Sequence, residues 1–189
     1  MFLRDLSLHL LDILQNSITA NATQIETTLV ADKEKDMLMI TLKDNGCGMP
    51  PEILAKVTDP FVTSRDTREV GLGISLFKLA AESSGGSFRI DSKINEGTEL
   101  CATFVISNMD RKPLGDMGDT FSILLASNTG LDFTLSLSNT QNTFFLDTKE
   151  IKESLGDESF LSNIEIMRWV NDYINQNVHE IYSGILLEL

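Results

Sequence analysis

Four short blocks carry side chains able to hold a nucleotide and a metal ion. They are Asn16 within Asp12-Ile13-Leu14-Gln15-Asn16-Ser17, then Asp44-Asn45-Gly46-Cys47-Gly48-Met49, then Gly71-Leu72-Gly73, and last Gly97-Thr98. An asparagine on a helix can give a hard cation its amide oxygen. An aspartate at a strand end can accept a hydrogen bond from an amino group. Glycines let backbone approach a ligand, and a glycine-rich turn before a helix offers free N–H groups to phosphates. Each block has a plainer reading. Asp44-Asn45-Gly46 is a common hairpin turn, Asn16 an exposed helix residue, and Thr98 a β-branched strand residue. The stretch Thr63-Ser64-Arg65-Asp66-Thr67-Arg68-Glu69 reads equally well as a mobile charged loop or as hydroxyls and guanidiniums placed for phosphate oxygens. Cys47 is a small neutral filler or a thiol beside a ligand.

These residues need a scaffold. Leu3, Leu6, Leu10, Ile13 and Ser17 recur at helical spacing over residues 5–20, and Asp5, His9, Asp12, Asn16 and Ala20 form a second stripe. Asp12 and Asn16 are one turn apart on one face. Residues 22–31 and 36–44 predict paired strands, with Ile25, Thr27 and Leu29 and then Leu38, Ile40 and Leu42 on one parity, around a charged turn. Pro50-Pro51-Glu52 opens a short helix. Residues 73–82 predict a helix stopped by Gly85-Gly86, and 87–92 and 98–107 two further strands. Residues 108–119, with Pro113, Gly115 and Gly118, predict a linker. Beyond it three strand-like runs are expected at 120–126, 133–137 and 143–146. A short helix ending at Gly156 and a longer one from the Ser162/Glu165 capping pattern to about Val178 follow. The expected organisation is one domain over 1–107 and a small α+β accessory domain over 120–189.

The net charge of −13 argues against nucleic acid as the main partner, because phosphate backbones need a basic surface. Residues 108–189 hold 13 of the 28 acids but five of the 15 bases, which suits a protein partner or plain solubility. Cys47 and Cys101 form no zinc or redox spacing, and with only two histidines a His-rich metal site is not expected. No apolar run reaches eighteen residues and the first residues lack signal-peptide features, so the expectation is a cytoplasmic protein with no membrane partner.

The ordered blocks resemble the GHKL superfamily of DNA gyrase, HSP90-type chaperones, sensor histidine kinases and MutL-type repair proteins. Residues 12–23, DILQNSITANAT, resemble its N box in the MutL style. DNGCGM resembles the first glycine box, TDPFVTSR (58–65) the F box, GLGISL the second glycine box, and Glu96-Gly97-Thr98-Glu99 the last glycine motif. The resemblance covers residues 1 to about 107. A narrower likeness is to stand-alone ATP-binding proteins of anaerobic bacteria encoded near iron hydrogenase or ferredoxin subunits.

The resemblance implies a Bergerat-type two-layer α/β sandwich, helices on one face of a mixed sheet, binding ATP with Mg2+. It implies that Asn16 ligates magnesium and that Asp44 accepts from the adenine amino group. Gly46, Gly48 and Met49 would then line the base, with Thr98 close by. Gly71, Leu72 and Gly73 would present helix N–H groups to phosphates, and Thr63, Ser64 and Arg65 would form the lid. Asp12 stands where gyrase and MutL relatives carry a glutamate that activates water and where sensor kinases usually carry asparagine, so it is the candidate base, one methylene shorter. His9 lies inside the N-box helix and is read as structural. The implied function is an ATP-dependent regulator acting by protein phosphorylation or slow hydrolysis. A non-catalytic ATP/ADP sensor that binds a protein partner, and a clamp that dimerises around ATP, are the rivals.

Overall fold

A computed structural model describes residues 4–58, 72–155 and 163–186. The first helix, α1 (Leu6–Thr19), starts where Asp5 accepts a 3.0 Å hydrogen bond from the Leu8 N–H. Its stripe of Leu6, Leu10, Ile13 and Leu14 is buried, each side chain contributing roughly 1.5–3 kcal/mol. β1 (Gln24–Asp32) and β2 (Met37–Asp44) pair antiparallel with Leu29 opposite Ile40, so the inward residues are those the alternation predicts. A short α2 (Pro51–Leu54) precedes α3 (Gly73–Ser83), and β3 (Phe88–Lys93) and β4 (Gly97–Val105) form a hairpin.

The sheet does not stop there. It has six strands in the order β3-β4-β2-β1-β5-β6, with β5 (Asp132–Ser138) parallel to β1 and β6 (Thr143–Asp147) antiparallel to β5. Every other pairing is antiparallel. α3, α1, α4 (Met117–Ser127) and α6 (Ile164–Tyr182) lie side by side over one face, and α5 (Thr148–Leu155) sits by β5. The result is a mixed α/β sandwich of the Bergerat type with additional C-terminal elements. Among the described residues no helix is long and apolar enough to cross a membrane.

Two expectations are corrected. Residues 120–126, expected as a strand, lie inside α4. Asp116 caps this helix by accepting from Asp119 N–H at 2.7 Å, and Met117, Thr120, Phe121, Leu124 and Leu125 are buried at helical rather than alternating spacing. The stretch 108–119, expected as a linker, is packed into the fold. The Pro113 and Leu114 carbonyls accept from the Leu6 and Ser7 N–H groups at 2.9 Å, closing the open start of α1. Arg111 is buried there and donates to the Ile106, Lys112 and Leu186 carbonyls.

The sheet also runs unbroken past that stretch, from Ile25 opposite Phe133 to Val30 opposite Ser138. At the far end of this parallel pair the Tyr182 phenol, fully buried, donates to the Leu29 carbonyl at 2.8 Å and accepts from Ser138 N–H at 3.3 Å. Burial pushes its ionisation well above the usual phenol range. The last turn of α6 is thereby tied into the ladder between β1 and β5.

Candidate functional site

A cavity of about 300 Å3 opens beside α1, between the ends of β2 and β4 and the segment after β2. Its walls are mostly apolar, with Ile13, Leu42, Ile74, Ile90 and Leu100 among them, and among the described residues Asp44 is the only acidic or basic side chain lining it. The stripe of α1 and the inward alternation of β2, β3 and β4 put four of these apolar residues there, and Ile74 comes from the first turn of α3.

Asp44, the last residue of β2, is 6% exposed. The Ser17 hydroxyl of α1 donates to its Oδ2 at 2.7 Å, and Gly46 N–H to its Oδ1 at 2.9 Å. Thr98 N–H reaches Oδ1 at 3.3 Å, placed by the β2–β4 register that sets Asp44 opposite Thr98. An ionised carboxylate offers about four lone-pair sites. Three are occupied, and the remaining capacity is on Oδ2. The carboxylate is buried with no cation beside it among the described residues, held by three donors in a fixed orientation.

Ser92 organises the other side. Its Oγ accepts from Met49 N–H at 2.8 Å, donates to the Gly97 carbonyl at 3.0 Å and lies 2.9 Å from Thr98 Oγ1. A hydroxyl gives one proton and accepts two, so this set closes if Thr98 donates to Ser92. Gly48 and Gly97 hold positive φ angles of 64° and 96°. A Cβ would fall 2.0 Å from the Lys93 carbonyl oxygen at the first and 1.9 Å from that of Asp44 at the second. Only glycine fits either place. Cys47 is exposed at the cavity rim.

Asn16, half-buried, lines the cavity one residue before Ser17, and its side chain has no hydrogen-bond partner among the described residues. Asp12 is one turn earlier, exposed, and does not line the cavity. Partial burial raises its pKa above the ordinary carboxylate value. Gly73 opens α3 directly against Asp12. The α3 N-terminus carries no side-chain cap, and Leu72 before it is exposed. Among the described residues no three His, Cys, Asp or Glu side chains cluster as a metal centre.

The structure therefore brings Asn16, Asp44, Gly48, Met49 and Thr98 to one cavity, with Gly46 bonded to Asp44. Asp12, Leu72 and Gly73 stand beside it at the α1–α3 contact. Thr63, Ser64, Arg65 and Gly71 lie outside the described residues. Sequence reasoning missed Ser17 and Ser92. Each is a polar residue at an inward position of an apolar stripe, Ser17 after Leu6, Leu10 and Ile13 and Ser92 after Phe88 and Ile90, and that was the available signal.

His9 is buried with its ring 5.8 Å from Phe77, and its Nδ1 has no partner among the described residues. Desolvation and nearby Lys112 push its pKa down to about 4, partly opposed by Asp5. It lies on the second turn of α1 and packs against Phe77 of α3.

Residues 3–108 match the model of the histidine kinase-, DNA gyrase B- and HSP90-like ATPases. A sensor protein of Shewanella frigidimarina is 32% identical over 106 residues, 53% of this chain and 16% of that protein. Sporulation kinase D of Bacillus subtilis is 38% identical over 69 residues, 36% of this chain and 13% of that one. The chain thus spans less than a fifth of either relative. The solved N-terminal domain of a DNA repair protein superposes with a TM-score of 0.53 at 15% identity, over 77% of this chain and 53% of that one, which shows a shared fold.

Proposed function

We propose, because the chain belongs to the family of histidine kinase-, DNA gyrase B- and HSP90-like ATPases, that its cavity takes the adenine of ATP or ADP and that the protein is an ATP-dependent regulator of a protein partner. The observation that carries the reading is the Asp44 carboxylate, buried at the end of an apolar cavity with three fixed donors and acceptor capacity left on Oδ2. An amino group completes it. Guanine would present a carbonyl oxygen there, acceptor against acceptor, so the site selects adenine. Ile90 and Met49 offer apolar surface to the ring.

Magnesium fits the donors present. It prefers a few protein oxygens together with phosphates and water, and the unpartnered Asn16 amide, one residue from the adenine-orienting Ser17, supplies one such oxygen. The uncapped start of α3 offers N–H groups and the positive helix end to phosphate. Bound ATP supplies the transferable phosphoryl group. Asp12, one turn from Asn16, orients and deprotonates the attacking water or a partner's hydroxyl, and its raised pKa makes it a better base than a fully solvated aspartate.

Positioning and charge neutralisation dominate phosphoryl transfer, so both outcomes suit these residues. Relatives described as sensor proteins and kinases favour action on a protein. Incubation with γ-labelled ATP decides. Label on a co-purified protein supports phosphorylation and free phosphate supports slow hydrolysis. Binding of ATP with neither product leaves a nucleotide-state sensor, and equal affinity for ATP and GTP sinks the reading altogether.

A further inference from the structure

Three polar residues stand opposite one another across three neighbouring strands. Ser92 of β3 faces Thr98 of β4, and Thr98 faces Asp44 of β2. Residues paired in this way project from the same face of a sheet. Two positions along, Ile90, Leu100 and Leu42 form a second row, and that apolar row lines the cavity. The polar row closes its end. Asp44 and Thr98 line the cavity, whereas Ser92 does not.

A hydroxyl holds one proton, and where that proton goes decides whether the group meets a ligand as donor or as acceptor. Among the described residues three hydroxyls line the cavity, on Ser17, Thr19 and Thr98. Ser17 gives its proton to Asp44 Oδ2, and Thr19 gives its own to the Gln15 carbonyl at 2.9 Å. Thr98 is settled by Ser92. The Met49 N–H only donates, so Ser92 Oγ accepts from it, and the Gly97 carbonyl only accepts, so Ser92 spends its proton there. What remains on Ser92 is a lone pair 2.9 Å from Thr98 Oγ1, and Thr98 has to be the donor. The Thr98 proton is turned towards β3, and only lone pairs are left for the cavity.

We propose that Ser92 is a positioning residue for base selection, fixing the Thr98 hydroxyl as an acceptor so that the polar end of the cavity offers two acceptors and no hydroxyl donor. This rests on the adenine reading of the cavity. An exocyclic amino group carries two protons. Asp44 Oδ2 takes one, and Thr98 Oγ1 takes the other, directly or through a water molecule. A carbonyl oxygen at the same place on the ring needs a donor, and among the described residues every hydroxyl proton lining the cavity is committed within the protein. Selection therefore depends on a residue that lies outside the cavity wall. The frame around Ser92 has a second tie, because the Asn95 N–H donates to the Cys47 carbonyl at 2.8 Å and holds the β3–β4 turn against the segment carrying Met49. Removing the Ser92 hydroxyl leaves that tie in place and frees the Thr98 hydroxyl to turn and donate.

Calorimetry on the full chain with ATP and with inosine triphosphate, each with magnesium, tests this. Inosine triphosphate carries a carbonyl where ATP carries the amino group and, unlike GTP, adds no 2-amino group. The wild type should prefer ATP. Ser92→Ala should cut that preference about tenfold, the worth of one hydrogen bond gained by the wrong base. Ser92→Thr, which keeps a hydroxyl, should restore it. In a Thr98→Val background Ser92→Ala should change the preference no further, because no hydroxyl is left to turn. Both nucleotides are measured on one protein, so a loss of stability alone leaves the ratio where it is. A wild-type preference that Ser92→Ala leaves intact overturns the proposal while the adenine reading stands, and so does an equal fall in the Thr98→Val background. A wild type that binds both nucleotides equally removes the adenine reading, and the proposal with it.

Discussion

Gly73 and Asp12 touch. The first residue of α3 lies so close to α1 that a Cβ at position 73 would stand 2.9 Å from Asp12 Cβ and 3.5 Å from its Oδ2. The uncapped helix start and the candidate base therefore form one unit, and a change in one moves the other. Gly73→Ala should force the two helices apart, lowering stability by about 1–3 kcal/mol as overpacking does. ATP affinity should fall with it. Thermal melts and calorimetry on the variant check this, and an unchanged Kd would separate the contact from nucleotide binding.

Asp12→Asn removes the carboxylate but keeps the shape. If Asp12 activates water, phosphate release should fall about a hundredfold or more while ATP binding is retained. Equal steady-state rates in the two proteins would exclude a base role.

Asp44 and Ser17 should be graded in effect. Asp44→Asn loses a charged acceptor and should weaken ATP binding by about 1.5–3 kcal/mol. Ser17→Ala leaves the carboxylate in place but frees its Oδ2, and should cost about 1 kcal/mol. Calorimetry with ATP and GTP reads both, and a larger loss in Ser17→Ala than in Asp44→Asn would contradict the assigned roles.

Asn16→Ala should lose affinity for ATP only when magnesium is present, with magnesium-free ADP binding little altered. The motive is an amide that lines the cavity without a hydrogen-bond partner among the described residues. The same loss with and without the metal would make Asn16 a structural residue.

His9 sets a pH dependence. Its pKa is lowered from 6.5 to about 4 in the fold, so between those values the unfolded chain binds a proton that the folded chain does not. Its stabilising contribution is whole above pH 6.5 and is lost as pH falls towards 4, to a total of roughly 3 kcal/mol. His9→Leu should flatten the fall in urea midpoint between pH 7 and pH 5. An identical slope in both proteins would exclude His9 as its source.

Much of the site was legible because it rests on local pattern. The stripe of α1 places Asn16, and the alternation of β2 carries Asp44 to its inner end. What escaped needed distant contacts. The apolar run at 120–126 suits a buried strand or a buried helix equally, and the Asp116 cap with the packing against α6 decides for helix. Proline and glycine at 113 and 115 read as a linker, because composition does not reveal that the 113 and 114 carbonyls close the start of α1. Parallel pairing of β1 with β5 joins residues more than a hundred positions apart, beyond any local signal.

That parallel pairing has a consequence for engineering. The region matching the family ends at residue 108, which invites its use as a portable cassette. Cut there, it would carry β1 away from β5 and strip the Tyr182 phenol from the Leu29 carbonyl. The graft would arrive with a raw hydrogen-bonding rim and the Ile25 and Leu29 side of its core uncovered, ready to join whatever strand it met. A donor for chimeras has to include the later strands and α6.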